Sequence, residues 1–294
     1  MKILLTGVTG QVGWELQRTL MTVGEVIPVS RNQIDLTQPD SIRHIIQEIK
    51  PDLIVNPAAY TAVDKAESEP ELAMAINGIA PGVIAEEAKR LGAAIIHYST
   101  DYVFDGGNKS PYTESDKPNP QNIYGKTKLA GEEAIASVGV PHLILRTSWV
   151  YGLRGKNFLL TMQKLAQERE EIKVVNDQIG APTWSRAIAE ATAQILFQAQ
   201  QDVSGFLASK GGLYHLTASG QTSWYGFAQA IFQYNPEHNQ RKLQKLIAIS
   251  SKGYPTAASR PAYSLLNNQK LSNTFDLLLP EWQKSLELVL ARNK

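Results

Sequence analysis

Short unbroken apolar runs recur through the first half of the chain, and stretches with apolar residues every three or four positions separate them. The runs at 2–5, 26–29, 53–55, 94–98 and 143–146 show no inside–outside alternation. That pattern belongs to strands covered on both faces. Between them, residues 11–23 place Val12, Leu16, Leu20 and Val23 at helical spacing. Residues 40–49 place Ile42, Ile45, Ile46 and Ile49 on one face, ahead of Pro51. Residues 71–91 form a long helical stretch that Gly92 can cap, and 124–136 continue the alternation. Strand and helix alternating in this way predict an α/β fold with a doubly wound, parallel, Rossmann-like sheet.

After about residue 150 the pattern loosens. Helices are expected over 158–169, 187–198, 223–234 and 279–291, and strands over 173–175 and 212–216. No internal repeat is present. Residues 105–122 are rich in Pro, Gly and polar side chains and too long for a simple connection, so they read as a functional loop or lid. Residues 251–261 read as a second surface loop.

Composition narrows the class. The 294 residues are enough for about two domains. Apolar residues make up 43% and charged residues 19%, which argues against a disordered chain. Twenty-nine basic against 28 acidic residues leave a net charge of +1, so a nucleic-acid partner is disfavoured. There is no cysteine, which excludes disulfides, thiolate zinc sites and a cysteine nucleophile. No run is long enough for a signal peptide or a membrane span. These observations together point to a soluble, cytoplasmic protein.

The first candidate chemistry follows the first strand. The run from Gly7 through Val8, Thr9, Gly10, Gln11 and Val12 to Gly13 has three glycines spaced by two residues. In a strand–turn–helix the first permits a tight turn, the second lets backbone approach a pyrophosphate, and the third lets helix and sheet pack closely. The helix N-terminus then offers N–H groups to phosphate. At the end of the second strand stand Ser30 and Arg31. A hydroxyl and a guanidinium suit the 2′-phosphate of NADPH, with NADH as the alternative; an Arg here can also be a plain surface residue. Asp35 and Leu36 follow where the adenine edge would lie, although Asp35 can equally open a turn. Ala58, Ala59 and Tyr60, after the third strand, are small or flat enough for a cofactor to lie against, or form a plain loop exit.

The second candidate lies further on. Tyr124 and Lys128 are four residues apart on a predicted helix and share a face. A neighbouring ammonium is expected to lower the phenol pKa from about 10 towards neutrality and make Tyr124 a general acid. Thr100, with Ser99 beside it, ends the fourth strand, where open α/β sheets bind ligands.

Glycine loop, strand-four hydroxyl and YxxxK helix in this order resemble the extended short-chain dehydrogenase/reductases. Several runs are similar to the dTDP-4-dehydrorhamnose reductases within that family: 61–67 (TAVDKAE), 98–104 (YSTDYVF), 124–132 (YGKTKLAGE), 146–151 (RTSWVY), 176–183 (NDQIGAPT) and 258–261 (ASRP). The resemblance implies a catalytic triad of Thr100, Tyr124 and Lys128. It implies NAD(P)H-dependent reduction of the C4 ketone of dTDP-4-dehydro-β-L-rhamnose, the last step of dTDP-L-rhamnose synthesis. It makes Thr100, Asp101, Tyr102 and Trp149 sugar contacts, with a buried aromatic as the other reading of Trp149. Arg260 is expected to clamp the diphosphate or, equally, to form a structural salt bridge. The implied layout is a dinucleotide-binding domain over 1–150 and a mainly substrate-binding lobe over 151–294, with segments near 176–198 and 212–218 returning to the sheet. The protein is expected to act as a monomer or homodimer. Mg²⁺ enters through the resemblance alone, at Glu15, which otherwise reads as a solvent-facing acid. The histidines (His44, His97, His142, His215 and His238) show no metal-ligand spacing, and His97 reads as a strand residue near the site.

Two alternatives remain at this point. One is a non-catalytic subunit resembling the regulatory β subunit of methionine adenosyltransferase; an intact triad argues against it. The other is a nucleotide-sugar epimerase or dehydratase. Dehydratases of the family carry Asp-Glu after the strand-four Thr, where this chain has Asp101-Tyr102.

Overall fold

The apolar runs form strands because each can bury both faces at once. In a computed structural model, which describes residues 1–199, 202–235 and 241–291, these are β1 (Lys2–Leu5), β2 (Glu25–Pro28), β3 (Leu53–Asn56), β4 (Ala94–Thr100) and β5 (His142–Thr147). A sixth strand, Gly212–His215, joins them. All pairings are parallel, in the order Gly212–His215, β5, β4, β3, β1, β2. Successive side chains point to opposite faces. Ile3, Leu5, Val55, Ile96 and Leu145 meet Leu16, Leu20, Ile188 and Ile195 on one side. Leu4, Ile54, Ile95 and Ile144 meet Ile42, Ile46 and Ile84 on the other. Each fully buried side chain of this kind contributes roughly 1.5–3 kcal/mol.

The later segments do two things. Helices Phe158–Glu168, Trp224–Tyr234 and Trp282–Ala291 enclose a second core around Leu159, Phe227, Ile231 and Leu286. Helix Ser185–Gln198 instead packs against the first helix, Gln11–Thr19, where the Thr19 hydroxyl donates to the Ala189 carbonyl at 3.1 Å.

The long stretch expected as one helix over 71–91 is broken. It runs as Pro70–Met74, a π turn over Ala75–Ile79, and Ala80–Leu91. Pro81 has no N–H to return to the Asn77 carbonyl, so the α ladder cannot continue through that point. Helices Val203–Lys210 and Gln269–Phe275, and strand Lys245–Ile249 paired in parallel with Glu171–Val175, were not expected. They are short, and periodicity over so few residues is weak.

Residues 105–122 are not a lid. The Asp105 carboxylate accepts from the Gly107 amide, the Tyr112 hydroxyl and the Asn119 amide. The Tyr112 ring stacks on Phe104 at 4.1 Å, and Tyr112 N donates to the Leu265 carbonyl. The segment is closed by its own side chains, and no residue of it lines the large cleft described below.

One buried ion pair ties the sheet to helix Ile123–Val138. Arg146 on β5 donates from Nε and Nη2 to the two Glu132 oxygens at 2.9 and 2.6 Å. Glu132→Ala leaves a buried guanidinium without its partner, and a loss on the order of 3–5 kcal/mol is expected. A denaturant midpoint unchanged from that of the parent protein would contradict it.

Candidate active site

Because the strands are parallel, all their C-terminal ends open on one edge, and the cleft forms there. It has a volume of about 1110 Å³. Every residue expected to bind cofactor or substrate lines it: Gly7, Thr9, Gly10, Gln11, Val12 and Gly13; Ser30, Arg31, Asp35 and Leu36; Ala58, Ala59 and Tyr60; Thr100, Asp101 and Tyr102; Tyr124, Lys128, Trp149 and Arg260. Glu15 does not line it, and among the described residues no three metal-ligating side chains converge. His44 pairs with Glu48 on the surface, and His142 contacts the Val140 carbonyl. His238 lies outside the described residues.

The glycines divide the work in the expected way. Gly7 has a φ of +58°, and a Cβ on it would come within 2.7 Å of the Ala58 nitrogen. A Cβ on Gly13 would drive into the Gly7 carbonyl. Gly10 differs. Its φ is −78°, and a Cβ there would meet only the Gly7 carbonyl, at 3.2 Å. Its bare side faces the cleft. The helix that begins at Gln11 has no side-chain cap and no acid in its first turn, so its amides and positive dipole end are left for an anion. These residues fit a dinucleotide pyrophosphate.

Just past β2, the backbone N–H and hydroxyl of Ser30 both donate to Gln33 Oε1, at 3.0 and 3.1 Å. Arg31 is exposed at the cleft. Asp35 accepts from the Thr37 hydroxyl and amide at 2.7 and 2.9 Å, which holds its carboxyl below the usual range. It is therefore a turn former as well as a cleft residue.

The loop after β3 is fixed by a residue that pattern reading missed. Asn77, fully buried on the π turn, accepts from Tyr60 N at 2.8 Å and donates to the Tyr60 carbonyl at 3.0 Å. It also donates to the Thr127 hydroxyl at 3.2 Å. A lone Asn amid Ala and Ile, four residues before a proline, is the only signal the sequence carried.

Helix Ile123–Val138 is capped by Asn122, which accepts from Gly125 N at 2.7 Å and donates to the Ser259 carbonyl at 2.7 Å. Gly125 lies against the Tyr102 carbonyl with no room for a side chain. Tyr124 and Tyr102 meet edge to face at 5.6 Å. Burial pushes the Tyr124 phenol up to about 12, against the pull of a hydrogen bond with the Thr100 hydroxyl. The expected acidification is thus not met. Lys128 Nζ turns to the Tyr98 carbonyl at 2.6 Å and to His97 Nε2 at 3.1 Å. Burial lowers Lys128 to about 8, opposed by the Glu132 charge. Burial also raises Asp101 to about 7, opposed by hydrogen bonds with Ser264 and Thr100.

Trp149 adopts a φ of +46°, sparsely populated for any side chain but glycine's. Its ring stacks on Trp224 at 3.6 Å, a partner the sequence did not flag, and lies over Gly180, where a Cβ would strike the indole. Arg260 forms a two-pronged salt bridge with Asp64, at 2.7 and 3.2 Å. Its structural reading is realised, while the side chain still lines the cleft.

Comparison with known proteins places this geometry. The profile of the RmlD substrate binding domain family matches residues 1–294. A dTDP-4-dehydrorhamnose reductase from Burkholderia thailandensis is 49% identical over 98% of this chain and 97% of its own. The crystal structure of a dTDP-4-dehydrorhamnose reductase from Clostridium acetobutylicum superposes with a TM-score of 0.90 at 39% identity, covering 100% of this chain and 99% of that one. A Bacillus anthracis dTDP-4-dehydrorhamnose reductase in complex with NADP gives 0.89 at 36% identity, covering 99% of both chains.

Gly13→Ala should destabilise the protein by about 1–3 kcal/mol through overlap with the Gly7 carbonyl, and should weaken dinucleotide binding. NADPH fluorescence titration and a thermal midpoint read both. Parent-like values in each would show that the close approach is dispensable.

Proposed function

The chain belongs to the RmlD substrate binding domain family, and from that premise we propose that it catalyses NADPH-dependent reduction of the C4 ketone of dTDP-4-dehydro-β-L-rhamnose to dTDP-L-rhamnose, the last step of dTDP-rhamnose synthesis. The single observation that carries the reading is the convergence on one cleft of a bare Gly10 turn, the Thr100 and Tyr124 hydroxyls and Lys128.

When bound, NADPH supplies the hydride. Gly7, Gly10 and Gly13 with the first helical turn would hold its pyrophosphate, and Ser30 and Arg31 its 2′-phosphate. NADH is the lesser donor in this reading. Tyr124 gives a proton to the oxygen that was the ketone. A phenol held protonated by burial is in the form this role needs. The Thr100 hydroxyl, which donates to Asp101 Oδ1 at 3.1 Å and lines the same cleft, orients the same oxygen in this reading. Lys128, one turn along the helix, supplies positive charge as the phenolate develops. The tandem wall of Trp149 and Trp224 offers an apolar face to a deoxysugar or base. Asp101 and Tyr102 face the sugar, and Arg260 is placed to exchange Asp64 for a substrate phosphate.

A dehydratase needs an acid–base carboxylate pair where this chain has Asp101 and Tyr102, so water elimination is the weaker reading. A purely regulatory subunit would have no use for the three catalytic groups. We read residues 1–150 as the dinucleotide-binding domain and 151–294 as mainly substrate lobe, with segments returning to the sheet. We read the protein as a cytoplasmic monomer or homodimer; no described helix is long and apolar enough to cross a membrane. Mg²⁺ stays outside the mechanism.

Tyr124→Phe should lower kcat by about 10²–10⁴-fold, with the product of the parent enzyme two hydrogens heavier than the keto sugar nucleotide. A parent protein that oxidises no NADPH with this substrate, or releases an isomer or a dehydrated product, would overturn the assignment. Arg31→Asp should move the kcat/KM preference from NADPH towards NADH; an unchanged ratio would remove Arg31 from the 2′-phosphate site.

A further inference from the structure

Lys128 stands at the end of a buried hydrogen-bond chain that the proposed mechanism leaves unused. Nζ lies 3.1 Å from His97 Nε2. The other ring nitrogen, Nδ1, lies 3.2 Å from Asn56 Nδ2, and the Thr6 hydroxyl donates to Asn56 Oδ1 at 2.5 Å. Thr6, Asn56, His97 and Lys128 are each no more than 1% exposed. The chain runs from Thr6, just past the end of β1, across β3 and β4 to helix Ile123–Val138.

Each member has a fixed donor capacity. A neutral imidazole has one donor and one acceptor nitrogen, and an ammonium has no acceptor. If Asn56 Nδ2 donates to Nδ1, the ring proton sits on Nε2 and needs a lone pair on Nζ, so Lys128 must be an amine. If Lys128 is an ammonium, as its short 2.6 Å contact with the Tyr98 carbonyl favours, Nε2 must accept, Nδ1 carries the proton, and the Asn56 amide is turned by half a rotation from the arrangement above, its oxygen to the ring and its nitrogen to Thr6. Burial and the adjacent Lys128 hold His97 well below its ordinary value, so the ring takes no second proton. The chain therefore has two self-consistent directions, separated by one proton on Lys128.

We propose that His97 is a positioning residue which accepts a hydrogen bond from the Lys128 ammonium and so keeps it charged beside Tyr124, with Asn56 and Thr6 setting the ring's tautomer. The inference rests on the reductase reading and deepens it. The titratable and charged groups around Lys128 are Tyr124 and Glu132 on its own helix, His97 on β4 and Asp101 just beyond it. Arg146 on β5 is engaged by Glu132. Among the described residues only His97 and the Tyr98 carbonyl come within hydrogen-bond distance of Nζ. With the His97 acceptor removed, the ammonium is harder to keep in a buried site and loses its proton at lower pH.

The test is the pH profile of kcat for NADPH oxidation with the 4-keto sugar nucleotide, for the parent, His97→Leu and His97→Gln, with thermal midpoints alongside. Lys128 at about 8 puts an alkaline limb near that pH in the parent, activity falling as pH rises through it. His97→Leu should move the limb about one unit towards acid, about a tenfold loss above it, with the substrate KM little changed. His97→Gln, whose carbonyl can still accept, should restore the limb. A folded His97→Leu protein with a parental limb overturns the proposal. Nitrogen-15 NMR of the parent at pH 6.5 tests it without catalysis: a protonated Nδ1 and a bare Nε2 are expected, and a protonated Nε2 overturns it even if His97→Leu fails to fold. A parent protein with that tautomer but no turnover would sink the reductase reading and spare the hydrogen-bond assignment.

Discussion

An ammonium taken out of water costs several kcal/mol unless its protons find acceptors, and this fold meets that demand at Lys128. The Tyr98 carbonyl is available because it sits near the C-terminal end of β4, and His97 because its side chain points to the face that helix Ile123–Val138 covers. That helix can come close enough only because Gly125 and Gly131 carry no side chain against the Tyr102 and Asn77 carbonyls. The charge, the helix approach and the small residues are thus one requirement. A bulkier residue at either glycine would push Lys128 away from its acceptors before it touched Tyr124.

The same economy governs the loop after β3. A regular helix through 75–79 would leave Asn77 elsewhere on the helix surface. The π turn swings its amide onto both backbone groups of Tyr60, which fixes the wall of the cleft that Ala58 and Ala59 form. Extra residues of this kind inside helices commonly mark functional sites.

Much of this was legible in the sequence, for physical reasons. Apolar runs such as 94–96, too short for a helix, read as strands buried on both faces, and glycines at 7, 10 and 13 after the first such run point to a phosphate-binding turn. Every candidate binding position consequently lines the cleft. What stayed hidden depends on contacts between distant segments. Nothing near Trp149 announces that Trp224 stacks on it, and nothing near Asn77 announces Tyr60. The phenol's acidity was misjudged because spacing placed Lys128 on the Tyr124 face, whereas burial and competition from the Tyr98 carbonyl decide where the ammonium points. The lid over 105–122 was misjudged because composition reveals polarity and not the internal closure by Asp105 and Tyr112.

The edge strand Gly212–His215 has a consequence for biosynthesis of the chain. It pairs with β5, more than sixty residues behind it in order of synthesis. Until the ribosome has delivered it, β5 is an open edge, and β5 holds Arg146 of the buried ion pair. A nascent chain stopped near residue 150 would carry the whole glycine turn and helix Ile123–Val138 yet present the free edge of β5, paired only with β4, to its neighbours. The six-stranded sheet is therefore completed late in translation, by a segment from the later part of the chain.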